Sequence, residues 1–179
     1  MTKAKSSPRA SGATFFSLLT ATLGMLAKIC LMVAVVGLVA IISCVITQVV
    51  GRYIFNNTPT WAEALAMLLV LYVTMLGAAV GVRDAGHIGM ESLLVLVPDK
   101  VRLKLELVIH ILMAMFGAMM AWNGGFLAMS VMDYKIPTLG IPEGLNYIPM
   151  TLAGGLVFLF SIEHIIALFR GVDVEPSWH

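Results

Sequence analysis

The stretch "ICLMVAVVGLVAIISCVITQVV", Ile29 to Val50, runs for 22 residues without one acidic or basic side chain. As a helix it is long enough to cross a hydrocarbon core of about 30 Å. The rest of the chain agrees with it. Of 179 residues, 60% are hydrophobic and 12% charged, against about 25% charged in a soluble domain. Surface-to-volume scaling leaves so small a globule too little interior to hide that much apolar side chain. Lipid must therefore be the solvent for most of it. Nothing alternates with period two over these lengths, so strands are excluded and an all-α integral membrane protein is expected.

Outward from that run, the apolar region reaches back to Ala13 and is broken only by Lys28. One helix over 13–50 would be about 57 Å long and would set Lys28 in hydrocarbon, costing up to about 3 kcal/mol. The lower-energy reading splits the run at Lys28. Residues 1–28 then form a cytoplasmic N-terminus with an interfacial helix over 13–27, and Phe15, Phe16, Leu18, Leu19, Leu23 and Leu26 give it apolar contact. Residues 29–50 cross. The basic start (Lys3, Lys5, Arg9) resembles a signal peptide, but the apolar region runs far past signal length without a small-residue cleavage site, so it reads as retained.

Three further spans follow, at 61–82, 107–132 and 148–169, with Pro149 tolerated in a first helical turn. They complete a four-helix membrane domain over 29–170, followed by a polar tail at 171–179. Between the second and third spans lies "RDAGHIGMESLLVLVPDKVRLKLE", divided by Pro98. Its apolar part, Ile88 to Val97, is too short to cross and is expected as an amphipathic connector at the inner interface. Lys and Arg placement sets the orientation. With the N-terminus inside, nine basic residues fall inside and only Arg52 and Lys135 outside. Both termini are then cytoplasmic.

Formal net charge is +1, so no nucleic-acid partner is implied. Cys30 and Cys44 would lie about 21 Å apart along one helix, beyond disulfide reach. A substrate path would show as ionisable groups deep in the spans. Here the middle of the bilayer is empty of charge: His110 lies near the inner surface, and Glu163 and His164 lie about 10 Å from the inner end of the fourth span. No catalytic, substrate-binding or metal residue is expected. Small residues recur at helical spacing: Gly77 and Gly81, then Gly117, Ala121 and Gly125, then Gly154. They suit close helix packing, either within the bundle or against another protein.

At the first outer corner, "RYIFNNTPTWAEAL" (Arg52 to Leu65) holds Thr60 and Glu63 at capping-box spacing after Pro59, with Trp61 at the interface. Arg52 is expected to meet the C-terminal dipole of the first span and to pair with Glu63 across the turn.

This stretch, "LGAAVGVRDAGHIGMESL" and "TLGIPEGLNYIPM" together resemble the small membrane subunit of tripartite ATP-independent periplasmic (TRAP) transporters, the DctQ-like family. Arg52, Tyr53, Phe55, Trp61, Glu63, Gly77, Arg83, His87, Leu139, Gly140, Pro142, Tyr147 and Pro149 match its motifs in order. Ala64 and Met67 stand where members carry a second acid and a basic residue. The resemblance implies a heteromer in a bacterial inner membrane. A large membrane subunit would carry sodium and substrate in an elevator-like motion, taking an organic acid (a dicarboxylate, sialic acid or related sugar acid) from a periplasmic binding protein. This chain would be static scaffold without a cofactor of its own. Arg52, Tyr53, Trp61, Glu63, Lys135, Pro142 and Tyr147 are its expected outer docking residues, and Arg83, His87 and Glu91 are expected to pin the connector inside.

Two other classes remain. A haem-binding membrane anchor of a redox enzyme would use His110 and His164 as axial ligands. A small self-assembling exporter would need Glu63 deep in the membrane as a proton site.

Overall fold

Long unbroken runs of Leu, Val, Ile, Ala and Met satisfy every backbone hydrogen bond within one helix, which is what lipid demands. The computed structural model describes residues 9–57, 59–85 and 99–171, and within them the protein is helical and has no named strand. Helix α1 runs Arg9–Tyr53, α2 Thr60–Ala85, α3 Asp99–Ser130 and α4 Ile148–Arg170, with a 3₁₀ turn at Glu143–Asn146 before the last. Among the described residues, four segments are long and apolar enough to span: Leu18–Tyr53, Thr60–Asp84, Val101–Ser130 and Glu143–Arg170. The connector expected at Ile88 to Val97, and most of the polar tail, lie outside the described residues.

The first helix differs from the expectation. It does not divide at Lys28 into an interfacial piece and a span, but continues through 45 residues, about 67 Å at helical rise. The reason is packing. Ala27 is fully buried and Cys30 nearly so, and Leu23 packs against the same apolar core as Leu76, Ala79, Val80 and Phe160. A break at Lys28 would strip this contact from α2 and α4, while Lys28 itself is exposed.

The helices do not close into a symmetric bundle. α1 lies on α2, α2 on α4 and α4 on α3, while α3 has little direct contact with α1 or α2. α4 is therefore the central and most enclosed helix. Its crossing with α3 is made by small residues. A Cβ placed on Gly154 would stand 2.5 Å from the Ala121 nitrogen and 2.8 Å from the Gly117 oxygen. One placed on Gly117 would stand 2.7 Å from the Phe158 nitrogen. Gly125 is in looser contact, 3.6 Å from Thr151, and the neighbouring Gly124 is tighter at 2.9 Å. Gly77 and Gly81 face open space. At the end of α4, Gly171 takes φ 64° and stops the helix in the left-handed cap favoured by glycine.

Gly154→Val is expected to cost about 1–3 kcal/mol, the usual range for overpacking a filled contact. Gly77→Val should stay within about 0.5 kcal/mol because nothing opposes it. Thermal unfolding of the two variants in one detergent checks the contrast, and equal losses would mean that the α3–α4 crossing is not where α4 is held.

Candidate functional site

A glutamate inside an apolar span must be neutralised or hydrogen-bonded, because an isolated charge in a low-dielectric setting is too costly. Glu163, on central α4, is fully buried. Its partner is Arg83, near the end of α2 and 2% exposed. Arg83 Nε donates to Glu163 Oε2 at 3.1 Å and Nη2 donates to Oε1 at 3.2 Å. This is the two-pronged geometry that a planar guanidinium offers a carboxylate. Asp84 Oδ1 lies 3.6 Å from Arg83 Nη1, and the guanidinium sits 5.8 Å from the centre of the Phe160 ring. α1 closes the far side. A Cβ on Gly24 would stand 3.3 Å from Arg83 Nη2, and the buried Thr20 hydroxyl lies beside the Glu163 carboxylate.

Two histidines extend the cluster. His164 Nε2 is 2.9 Å from the Arg83 carbonyl oxygen. A carbonyl only accepts, so that nitrogen carries the proton. The carbonyl belongs to the last turn of α2. His110 of α3 stacks on His164, with centroids 4.6 Å apart and planes 6° from parallel. All four helices thus meet at one level: α1 through Thr20 and Gly24, α2 through Arg83, α3 through His110, α4 through Glu163 and His164.

This geometry does not suit the haem alternative. Axial ligands reach one iron from opposite faces of a flat macrocycle, whereas these rings lie face against face with no room for a plate between them. Nor does Glu63 suit an internal proton site, being exposed three residues into α2. The Arg83 fork occupies both oxygens of Glu163, so the cluster works as a tie.

The other expected docking residues lie at the opposite end, where the α1–α2 and α3–α4 loops sit. Arg52 is exposed, its guanidinium 5.9 Å from the ring of the adjacent Tyr53. The expected Arg52–Glu63 pair is not formed. Gln48, one turn deeper on α1, donates to Glu63 Oε2 at 3.4 Å instead. The capping box also gives way: the Ala62 N–H donates to the Pro59 carbonyl at 3.0 Å, and Thr60 already lies within the helix. Trp61 is exposed beside them.

Lys135 and Pro142 face each other across an isolated antiparallel bridge. The Ile136 N–H donates to Ile141 O at 2.9 Å and the Glu143 N–H to Tyr134 O at 2.8 Å. Tyr147 accepts from the Thr151 N–H at 3.2 Å. The Tyr72 hydroxyl donates to Leu145 O at 3.1 Å, fastening this loop to α2. The exposed Arg52–Tyr53–Trp61–Glu63 group and Lys135, with half-buried Pro142 and Tyr147, therefore share one end of the molecule. Arg83 is turned inward at the other end, and His87 and Glu91 lie outside the described residues.

Sequence alone does not join Arg83 to Glu163, although it carries one signal of a pair. Glu163 is the sole acid in α4, and an acid inside a span calls for a named cation.

Fold and site define a four-span helical membrane protein whose internal charges are closed on one another. The family model for the DctQ component of tripartite ATP-independent periplasmic transporters matches residues 41–171. The chain belongs to that family, and is a multi-pass inner-membrane protein. It is 29% identical over 150 residues to a protein of Vibrio cholerae named sialic acid TRAP transporter small permease protein SiaQ, covering 79% of this chain and 84% of that one. It is also 41% identical over 64 residues to the sialic acid TRAP transporter permease protein SiaT of Haemophilus influenzae, 36% of this chain but only 10% of that longer protein.

Breaking the pair from one side is expected to cost about 3–5 kcal/mol, because the remaining charge stays buried. Glu163→Leu should therefore lower the melting temperature more than the double variant Arg83→Met/Glu163→Leu. A double variant no better than the single one would show that the ions are not coupled.

Proposed function

We propose that this chain is the small scaffold subunit of a TRAP transporter, supporting a large elevator-type membrane subunit in sodium-coupled uptake of an organic acid. The observation that carries this reading is the Arg83–Glu163 fork, which joins α2 to α4 and engages α4's only acid. A carrier must exchange its polar contacts as cargo passes. A frame needs contacts that stay made, and a forked ion pair sealed by all four helices is of that kind.

The names of two relatives favour sialic acid as the cargo among the organic acids considered. Substrate and sodium would be held by the large subunit, this chain carrying neither a substrate site nor a cofactor. The nine-to-two distribution of basic residues supports cytoplasmic termini. Arg52, Tyr53, Trp61 and Glu63, with Lys135, Pro142 and Tyr147, would then face the periplasm, where a binding protein delivers its acid.

Vesicles holding this chain alone should show no flux of labelled sialic acid or succinate, and uptake should need the large subunit and the binding protein together. Flux through the solitary chain would overturn the scaffold reading. Arg52→Glu should lower uptake by the assembled complex severalfold while membrane insertion stays normal. Undiminished uptake in that variant would remove Arg52 from the docking surface.

A further inference from the structure

At the end carrying the loops, a groove of about 590 Å³ opens between α2, the α3–α4 loop and the start of α4. Its floor is apolar, formed chiefly by Met67, Leu68, Leu71, Met75 and Met150. Along α2 it reaches from Ala64 to Met75, about 16 Å at helical rise. That is close to half of an apolar core about 30 Å thick, the depth of one leaflet. At the mouth stand Lys135 and Glu143, both exposed and, among the described residues, ion-paired neither with each other nor with any other group. The mouth is rigid, because the 135–142 bridge and the Tyr72–Leu145 hydrogen bond hold the loop in place.

We propose that this groove binds one phospholipid whose headgroup carries both a phosphate and a primary ammonium. One acyl chain lies on the methionine-rich floor, which adapts to a flexible chain as unbranched thioethers do. The phosphate meets Lys135, whose apolar stem lets its cation reach headgroup depth. The ammonium donates to Glu143. A rim with one cation and one anion matches a zwitterionic head better than a purely anionic one. A quaternary ammonium has no N–H to offer Glu143, so phosphatidylethanolamine is selected over phosphatidylcholine. The site needs only that this end lies at a membrane surface, and does not depend on the transport reading.

The test is native mass spectrometry of the full chain in detergent with an equimolar mixture of palmitoyl-oleoyl phosphatidylethanolamine and phosphatidylcholine. The wild type should retain one lipid, the ethanolamine form preferred about two- to fivefold, as suits one exposed ionic contact. Glu143→Gln should erase the preference and keep the lipid; Lys135→Glu should weaken both forms. Leu71→Trp, at a partly exposed floor position, should displace both, and Met75→Trp serves where the first variant does not fold. Equal retention of the two lipids by the wild type overturns the proposal, as does unchanged retention in the folded tryptophan variant. Loss of the large subunit from Leu71→Trp with lipid retention intact would give the groove to a protein helix and also overturn it.

Discussion

The structure depends on how one carboxylate in an apolar helix is neutralised. Glu163 is fully buried, so it takes the guanidinium of Arg83, and that choice fixes α2 against α4 at a defined height. Everything nearby follows from keeping the pair dry and saturated. Phe160 covers the guanidinium, His164 donates to the Arg83 carbonyl in the last turn of α2, and His110 backs His164 from α3. Gly24 carries no side chain, so α1 lies directly over the arginine. Such a pair adds little net stability over an apolar core, since desolvating both ions offsets most of their attraction. What it supplies is register: two helices that could slide past each other in a uniform apolar contact have one position in which both prongs are made.

Elsewhere the order of the helices is set by side-chain size, because lipid is as apolar as leucine and association in it rests on close packing. The α3–α4 crossing is tight where Gly117, Ala121 and Gly154 meet. The large side chains of α3, among them Phe116, Trp122 and Phe126, point away and are exposed. The result is a row with α4 in the middle, leaving long apolar flanks on α1 and α3. For a protein working alone such flanks are lipid surface. For a subunit of a heteromer they are also what another membrane chain would meet, consistent with the family to which this chain belongs.

A division of labour runs along the membrane normal. At the end nearest the termini, the Arg83–Glu163 pair is internal and buried. At the loop end the polar side chains face outward, with Arg52, Lys135 and Glu143 exposed. The forked pair that joins α2 to α4 therefore lies at the opposite end from these exposed charges.

The sequence by itself determined the helical class, the four crossings and the family. Apolar runs of spanning length admit no other backbone solution in lipid, and the motifs at the two loops and after the second span stand in the right order. It also indicated which glycines recur at helical spacing, but not which of them are used: Gly117 and Gly154 are filled against each other, while Gly77 and Gly81 face open space. Only the tertiary structure decided that the first helix passes Lys28 unbroken, that Gln48 rather than Arg52 reaches Glu63, and that Arg83 belongs to Glu163. Periodicity reports which face of a helix is apolar and carries no information on which other helix that face will meet. A contact between residues 80 positions apart exists only once α2 and α4 lie side by side.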